Sequence, residues 1–476
     1  MNFEAIIGIE IHVEMKTKSK MFSSGKVSFG EEPNTCVRPL DMAFPGTMPI
    51  VNKQAVINAI RVSNALNMKI DHELWFDRKN YFYSDLPKGF QITQQARPIG
   101  SKGYVDIKLN DGSSKRIHIE RLHMEEDTCM QHHMADCTLV DYNRAGTPLV
   151  EIVSEPEIRS GEEAAKYVDA IRSIVVFTEV SDGKMEEGSL RCDVNVSIRP
   201  CGSDKYGTKV EVKNLNSIAN VQRAIDYEVS RQAKLLLKGI PVEQETRRFD
   251  EIKKETVMMR KKTDAVDYKY FTEPNIIPIR LSDKFVQDAI DTCPELASEK
   301  YERYISLGLS GDEANQMLQD LAMNRYFDEC VKIDSSKAKL FWNWINGDIL
   351  AYLNKNNLSI NQFKVSPDNL LSLILMLEKG ELSFNQGRKV FENMVIDNAS
   401  AIKIADELGL KQNSNVDEIQ SLVDSVIDSF PQSVVDYKNG KDRAVGFLVG
   451  QIMKASKGKV NPQIANKLVV ESLNKR

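Results

Sequence analysis

The sequence predicts an α+β protein in which an antiparallel sheet precedes a helical part. Two segments, 7–14 and 190–196, alternate apolar and polar residues with the period of two that β-strands have. Strand-like segments and turn residues continue to about residue 290, whereas apolar residues at helical spacing dominate after Pro294. A run of strands followed by a run of helices is typical of an α+β protein or of separate domains.

Each alternating segment has one apolar face that would pack on a core and one polar face. The polar positions are Glu10, His12, Glu14, Arg191, Asp193 and Asn195. One face of an antiparallel sheet often meets water, so simple solvation is one interpretation. Carboxylates, an imidazole and a guanidinium, in place of Lys, Thr and Ser, instead favour a polar cavity that suits a divalent metal and phosphate oxygens.

Two helices are predicted to interrupt the strand-rich part. Ser160 and Glu163 have the spacing of a capping box, and apolar residues follow at helical spacing as far as Val175. Ser217 is the expected N-cap of the second helix, and Gly239 is its expected stop.

Packed helices are predicted beyond Pro294. Trp342 and Trp344 would suit the stacking of bases, but their helical spacing favours core packing. The predicted helical segments are 336–352, 370–377, 388–394, 416–430 and 441–454, with a break at 412–415.

The composition is that of an ordinary soluble globular protein. The 476 residues are 42% hydrophobic and 28% charged, and the length suits about three domains of roughly 150 residues. No apolar run approaches the ~20 residues of a membrane span, and the start of the chain has no basic or amphipathic leader. We therefore expect a cytoplasmic protein without membrane attachment.

The seven cysteines are scattered and odd in number, which indicates free thiols in a reducing compartment. Two cysteines and two histidines between residues 129 and 137 offer an alternative, a zinc knuckle. Their spacing matches no standard structural zinc pattern, so a loop is favoured. The four residues are Cys129, His132, His133 and Cys137.

Positive charge is concentrated at the C-terminal end. Residues 438–476 contain nine Lys or Arg and two Asp or Glu, a local net charge of +7, which leaves −12 for the remaining residues because the total is −5. A basic segment on an acidic body indicates nucleic-acid contact at one end, although a solvated tail is the alternative. The candidate contacts are Lys438, Lys441, Arg443, Lys454, Lys457 and Lys459.

The absence of several sequence motifs excludes the kinds of catalytic site that depend on them. The sequence has no glycine loop for phosphates, no zinc-protease motif and no serine nucleophile elbow. It does have dense polar segments at 76–94, 121–127 and 185–193, and Glu151 stands in an apolar strand. Salt-bridged surface loops are one interpretation. Clustered carboxylates repel one another unless a cation lies between them, and lysines without a nearby nucleophile suit phosphate neutralisation.

These segments together resemble the GatB family, the B components of bacterial tRNA-dependent amidotransferases. The resemblance runs from end to end and is carried by long motifs. They are 7–14, 76–94, 123–127, 143–152, 185–195, 212–216, 244–250 and 446–458. The resemblance implies a cradle-like catalytic domain at 1–293, a helical domain at 294–411 and a small, tRNA-binding helical tail domain at 412–476.

The implied reaction is the amidation of mischarged Glu-tRNA(Gln) or Asp-tRNA(Asn). ATP with Mg²⁺ phosphorylates the side-chain carboxylate, and ammonia then displaces the phosphate, so positioning and charge neutralisation suffice. Ammonia would come from an amidase-type glutaminase, GatA, in a complex that includes a small third component, GatC. The sequence leaves open which of the two charged tRNAs is the substrate.

The resemblance also assigns roles to residues. It implies a metal on Glu10, His12 and Glu125, with Glu151 and Asp193 as further ligands. It implies phosphate or ammonia contacts for Lys79 and Lys88, and pocket-shaping roles for Arg191 and Glu187. The implied catalytic residues are therefore Glu125, Lys79, Lys88, Glu187 and Arg191, and the implied ATP contacts are Lys79, Lys88 and Arg191. Lys209, Glu211 and Lys213 are weaker candidates, since a cross-strand charge ladder explains them equally well.

The sequence departs from the family pattern at a few positions. Many relatives have a zinc-binding set of cysteines where this chain has Ser23, Arg38 and Asp41, so we expect no structural zinc. The alternative to an enzyme is a non-catalytic scaffold that binds tRNA. The presence together of Glu10, His12, Glu125 and Asp193 favours the enzyme.

Overall fold

The computed structural model describes residues 2–261, 267–410, 416–441, 443–456 and 460–476. The chain divides into two compact units, Met1–Ala297 and Ser298–Arg476. Sheets and three long helices form the first unit, and helices form the second, so the α+β prediction is confirmed.

The first unit contains the strands that the structure describes. They are β1 Phe3–Glu14, β2 Lys69–Ile70, β3 Glu73–Leu74, β4 Asp77–Asn80, β5 Phe90–Thr93, β6 Gly100–Lys108, β7 Ser114–Glu126, β8 Met130–His133, β9 Thr138–Asp141, β10 Pro148–Ser154, β11 Leu190–Pro200, β12 Val210–Lys213, β13 Glu245–Asp250, β14 Glu255–Lys261, β15 Phe271–Thr272 and β16 Ile279–Arg280. Four helices accompany them. These are α1 Lys53–Ala65, α2 Gly161–Phe177, α3 Ile218–Leu237 and α4 Asp283–Asp291.

Nine strands form one large sheet in the described part of the chain. Their order is β14-β13-β12-β11-β1-β10-β7-β6-β2, and every neighbouring pair is antiparallel except β12 and β13. The long β1 lies at the centre. Its apolar side chains, among them Ile9 and Ile11, are fully buried in a core that also includes side chains of α1, α2 and α3. The helices therefore cover one face and leave the opposite, polar face of β1 for other contacts.

The helices of this unit begin where the sequence predicts. Ser160 Oγ accepts a hydrogen bond from the Glu163 N–H, and Ser217 Oγ accepts one from the Asn220 N–H. The predicted capping box is wrong in one respect, because the Glu163 carboxylate accepts from the Arg159 N–H at 2.7 Å and not from Ser160.

The second unit consists mainly of helices in its described residues. Its helices are α5 Ala297–Ser306, α6 Gly311–Met317, α7 Leu321–Ile333, α8 Ala338–Trp344, α9 Leu350–Asn356, α10 Pro367–Glu378, α11 Phe384–Asp397, α12 Ala401–Glu407, α13 Val416–Ser429, α14 Pro431–Lys438, α15 Arg443–Ala455 and α16 Pro462–Lys475, with 3₁₀ turns at Ser335–Lys337 and Ile360–Gln362 and a π turn at Ile345–Ile349. Trp342 and Trp344 are buried, so the prediction of core packing is confirmed.

The apolar residues of this unit form two separate clusters. One cluster spans Tyr304 to Ala405 and the other spans Ile419 to Leu473. The predicted division between a helical domain and a tail domain at 411/412 falls on 411–415, outside the described residues, and the three-domain division stays a prediction. No helix among the described residues has the length and apolarity that crossing a bilayer requires.

We expect Ser217→Ala to destabilise the first unit by about 1 kcal/mol, because α3 loses the side-chain acceptor of its first turn. The midpoint of urea unfolding, followed by far-UV circular dichroism, measures the change. Ser217→Asn is the matched control, since Asn caps helices as well as Ser does. Equal midpoints for the Ala and Asn variants would contradict the role of this cap.

Candidate active site

The polar faces of four neighbouring strands align in rows across the sheet. In the order β11, β1, β10 and β7, Arg191 lies opposite His12, His12 opposite Glu151, and Glu151 opposite His123. The row on one side contains Asp193, Glu10 and Arg121, and the row on the other side contains Glu14 and Glu125. Since directly opposed residues share a face, strand pairing brings these distant residues together.

His12, Glu125 and Glu151 form a compact group of potential metal ligands. The Nε2 atom of His12 lies 3.5 Å from Oε1 of Glu125 and 3.4 Å from Oε2 of Glu151. One ligand atom from each residue lies within 4.8 Å of the others. His123 adds a second imidazole, whose Nε2 lies 3.1 Å from Oε2 of Glu151 and 3.7 Å from Oε2 of Glu125.

Protons on the imidazoles balance the two carboxylates when no cation is bound. Burial alone would lower the pKa of His123, but Glu151 and Glu125 outweigh burial and raise this pKa to about 9. The pKa of His12 is raised against the effect of burial, mainly by Glu151. The pKa of Glu151 falls well below its usual value, because the two imidazoles outweigh burial.

The group fits a divalent cation. A cation between the carboxylates would take the place of the imidazole protons and neutralise both acids. The Nδ1 atom of His123 is buried without a hydrogen-bond partner among the described residues. Carboxylate oxygens suit Mg²⁺, and the mixed nitrogen and oxygen set also suits Mn²⁺ or Zn²⁺.

Glu10 and Asp193 lie beside this group and face each other across β1 and β11. Glu10 Oε1 accepts a hydrogen bond from Asn195 Nδ2 at 2.9 Å, and Asp193 pairs with Lys213. Burial, together with the negative charges of Glu151 and Asp193, raises the pKa of Glu10. Glu10 and Asp193 therefore place two further carboxyl groups next to the three ligands.

Arg191 lies at the β11 end of the row that contains His12, Glu151 and His123, and an ion pair holds it in place. Its Nη2 atom lies 2.6 Å from Oδ2 of Asp127, and Nε of Arg144 lies 3.6 Å from the same oxygen. Asp127 and Glu14 raise the pKa of Arg191 although burial opposes this. Burial and the proximity of Asp127 raise the pKa of Glu14 to about 8. Arg191 is thus a permanent cation held by a buried carboxylate.

Of the two predicted lysines, Lys79 lies with the ligand group. Its Nζ lies 5.0 Å from the ring centre of Tyr268 and 5.8 Å from that of Tyr81. Burial would lower the pKa of Lys79, but Glu125 and other anionic neighbours outweigh burial and raise it. The ammonium is therefore charged at the ligand group.

Lys88 and Glu187 are placed elsewhere. Lys88 pairs with Glu126, which follows Glu125 in β7 and so projects from the other face of the strand. Glu187 is exposed and lies 2.6 Å from Nζ of Lys184. The structure does not bring either residue to the ligand group, and their catalytic roles stay predictions.

A cavity of about 650 Å³ opens in front of these residues, within the range of ligand pockets. Three cations, Lys79, Arg191 and Lys213, line it together with His12 and Glu125. The other lining residues are Tyr81, Asp85, Gln91, Asp127, Thr128, Leu149, Met185, Leu190, Cys192, Asp193, Asn214, Leu215 and Asn216. Cations around a carboxylate and imidazole floor suit a polyphosphate that arrives with its metal.

Sequence reasoning missed His123 and Asp127 as members of the site. Both lie two positions from Glu125, so the alternation that places Glu125 on the polar face places them there as well. The segment 213–216 also lines the cavity, although Lys213 was only a weak candidate.

The predicted tRNA contacts lie in the second unit. The four that the structure describes are exposed cations, namely Lys438, Lys441, Arg443 and Lys454. Lys441 Nζ lies 3.1 Å from Oδ1 of Asp436. Lys457 and Lys459 lie outside the described residues.

Comparison with known proteins gives two family matches. Residues 5–287 match the GatB/GatE catalytic domain, and residues 325–473 match the GatB domain. Proteins named as the B component of aspartyl/glutamyl-tRNA(Asn/Gln) amidotransferase are similar over the full length. The proteins from Bacillus licheniformis and Staphylococcus aureus strain JH9 are each 48% identical to this chain, and the alignment covers 100% of this chain and 100% of the relative. The protein from Mycoplasma mycoides subsp. mycoides SC is also 48% identical, and the alignment covers 100% of this chain and 99% of that protein.

Without divalent cations, the folded protein is expected to lose stability as the pH rises from about 6.5 to about 9. The pKa of His123 is raised from 6.5 to about 9, so the stabilisation from its protonation is complete below 6.5 and is lost as the pH rises through 9. Urea midpoints measured across this range in the presence of a chelator give the size of the loss.

His123→Asn should remove a pH-dependent contribution on the order of 3 kcal/mol. The exposed His132, which forms no ion pair among the described residues, supplies the matched control variant His132→Asn. A His123→Asn variant with the pH dependence of the unmodified protein would contradict the assignment.

Proposed function

Since the chain belongs to the GatB family, we propose that it uses ATP to activate the side-chain carboxylate of Glu-tRNA(Gln) or Asp-tRNA(Asn) and then converts this carboxylate to an amide. One observation above all supports the proposal. His12, Glu125 and Glu151, from three separate strands, converge within 4.8 Å beside a cavity that contains three fixed cations.

His12, Glu125 and Glu151 would hold Mg²⁺, and Glu10 and Asp193 would supply further negative charge beside it. Bound there, the metal would offset the charge of the ATP phosphate oxygens. Lys79 and Arg191 face the same cavity, so their roles are to neutralise and orient the phosphates from the protein side.

In the first step, a carboxylate oxygen of the aminoacyl side chain attacks the γ-phosphorus of ATP. The bond from this phosphorus to the oxygen that bridges the β- and γ-phosphates breaks, and ADP leaves with the electron pair. The product is an acyl phosphate. The cations need only hold both reactants in line, because no side chain becomes covalently attached.

In the second step, the nitrogen of ammonia attacks the acyl carbon. The carbon–oxygen bond to the phosphate breaks, phosphate leaves, and the nitrogen loses one proton to give the neutral amide. The phosphate is a far better leaving group than the oxide of the original carboxylate. This chemistry agrees with the absence of a serine nucleophile elbow from the sequence.

The ammonia would come from glutamine through a partner. The sequence contains no Gly/Ser-rich amidase signature. We therefore propose a cytoplasmic complex with the amidase-type glutaminase GatA and the small protein GatC, in which this chain receives ammonia along a protected route and binds the tRNA through its basic C-terminal segment.

Glu125→Ala is expected to abolish formation of Gln-tRNA from Glu-tRNA, ATP and glutamine in the assembled complex. The reason is that this variant removes one of the two buried carboxylates of the ligand group. Binding of tRNA by the variant should stay near normal. Glu120→Ala, an exposed carboxylate in the same strand, is the matched control and should keep full activity.

Full activity of the Glu125→Ala complex would overturn the assignment of the site. Wild-type complex that binds tRNA but forms no amide from either charged tRNA would favour the non-catalytic scaffold.

A second prediction concerns the exposed cations of the basic segment. The tail variant replaces four residues by Gln, namely Lys438, Lys441, Arg443 and Lys454. It should bind tRNA more weakly than the wild type. The slope of log Kd against log salt should fall by roughly 0.7 to 0.9 for each phosphate that is no longer neutralised. Filter binding at several salt concentrations measures the slope. A variant with four exposed lysines of the first unit replaced, Lys108, Lys205, Lys238 and Lys253, controls for total charge. If the tail variant kept the slope of the wild-type protein, the electrostatic interpretation would be contradicted.

A further inference from the structure

A completely buried lysine lies outside the candidate active site. The side chain of Lys20 has no solvent exposure, and its Nζ lies 3.3 Å from Oδ2 of Asp41. The same ammonium donates a hydrogen bond to the Tyr142 carbonyl oxygen at 3.1 Å. Burying a charge is costly unless it is paired, so this arrangement constrains the segments that carry the two residues.

Asp41 is the centre of this network. Its Oδ1 accepts from Ser23 Oγ at 2.7 Å, and its Oδ2 accepts from the Arg38 N–H at 2.8 Å. A Cβ at Gly25 would lie 2.7 Å from Oδ2, and one at Gly146 would lie 3.2 Å from Oδ1. The carboxylate is therefore packed closely between two loops, 20–41 and 142–147.

The second loop leads directly to the active site. The Gly146 N–H donates to the Asp127 carbonyl oxygen, and the Asp127 N–H donates to the Thr147 carbonyl oxygen, each at 2.9 Å. The Met21 N–H donates to the Gly146 carbonyl oxygen at 2.7 Å. Through these bonds, the position of the Lys20–Asp41 ion pair is tied to the backbone of Asp127.

Asp41 also forms one wall of a small interior cavity. The cavity measures about 10 Å³, which is room for about one water-sized molecule. Its lining residues are Asp41, Leu86, Pro87, Lys88, Phe90, Glu126, Asp127, Ala145 and Gly146. It shares Asp127 with the 650 Å³ cavity and shares Lys88 and Phe90 with a surface cleft of about 190 Å³.

Every charged group that lines this small cavity is already paired. Lys88 pairs with Glu126, Asp127 with Arg191, and Asp41 with Lys20. An unpaired carboxylate here would bind ammonium, which has no lone pair with which to attack an acyl carbon. Paired walls instead let neutral ammonia pass without being protonated and held.

We propose that the Lys20–Asp41 ion pair is a positioning element that keeps this small cavity narrow and free of unpaired charge for ammonia moving toward Asp127. The inference rests on the proposed function, since it assumes that ammonia enters from a partner. Lys20 and Asp41 touch no reacting atom in this proposal. They act through the wall that Asp41 forms and Lys20 holds in place, and through the loop that is hydrogen-bonded to Asp127.

The test measures how well glutamine use is coupled to amide formation in the assembled complex. Lys20→Met leaves the Asp41 carboxylate buried without its cation. We expect the ratio of glutamine hydrolysed to amide formed to rise about fivefold. Amide formation with saturating ammonium chloride and no glutamine should stay within about twofold of the wild type. A loss of general structure would lower both activities together.

Three further variants keep the test decisive. Lys20→Met combined with Asp41→Asn removes both charges, so the coupling ratio should return toward the wild-type value. Asp41→Asn alone leaves the Lys20 ammonium buried without its carboxylate, so it should also raise the ratio, and it serves if Lys20→Met does not assemble. Lys115→Met removes the cation of another ion pair, 2.7 Å from Glu163, that lines neither cavity, and should leave coupling unchanged.

An unchanged ratio in Lys20→Met, or an equal fall in the glutamine-dependent and ammonium-dependent activities, would overturn the inference. So would a double variant no better coupled than the single one. A wild-type complex that forms no amide even with ammonium chloride would instead overturn the proposed function, so the two failures can be told apart.

Discussion

The balance of opposite charges on the polar face of the nine-stranded sheet is the constraint on which the rest of the first unit depends. His12 and His123 lie between Glu125 and Glu151, and Arg191 lies against Asp127. Removing one partner of a buried pair typically costs about 3–5 kcal/mol, because the other charge is left uncompensated. A slip of one residue in β1, β7, β10 or β11 would turn the polar side chains of that strand to the other face and so break the pairs that they form. The register of the sheet therefore determines the geometry of the site.

Much of this arrangement could be predicted from the alternation of residue types. The period of two correctly places Glu10 and His12 on a polar face of β1, and the capping residue Ser217 correctly marks the start of α3. What alternation cannot supply is which residues lie opposite one another, because pairing between distant strands depends on the packing of the whole core. His123 becomes a neighbour of Glu151 only through the pairing of β7 with β10.

The remaining differences have equally local causes. Lys79 and Lys88 belong to one dense polar segment, but Lys79 lies in β4, whereas Lys88 lies in the turn before β5 and pairs with Glu126. Sequence proximity was therefore a poor guide to a shared site. Similarly, the apolar pattern gives no sign of the π turn at Ile345–Ile349, since the buried residues Phe341, Ile345, Ile349 and Leu353 keep a helical spacing of four through it.

The same charge balance bears on the order in which substrates bind. Without a cation, the protonated imidazoles of His12 and His123 neutralise Glu125 and Glu151, so this end of the cavity offers a polyphosphate no net positive charge. A divalent cation held by His12, Glu125 and Glu151 would take the place of these protons and would present positive charge toward the cavity. Lys79 and Arg191 are held in place beforehand by neighbouring anions and by the sheet, so they need little reorganisation when the phosphates arrive. If the proposed function holds, entry of the nucleotide would therefore depend on the cation, and the fixed side chains would then determine the orientation of the phosphates.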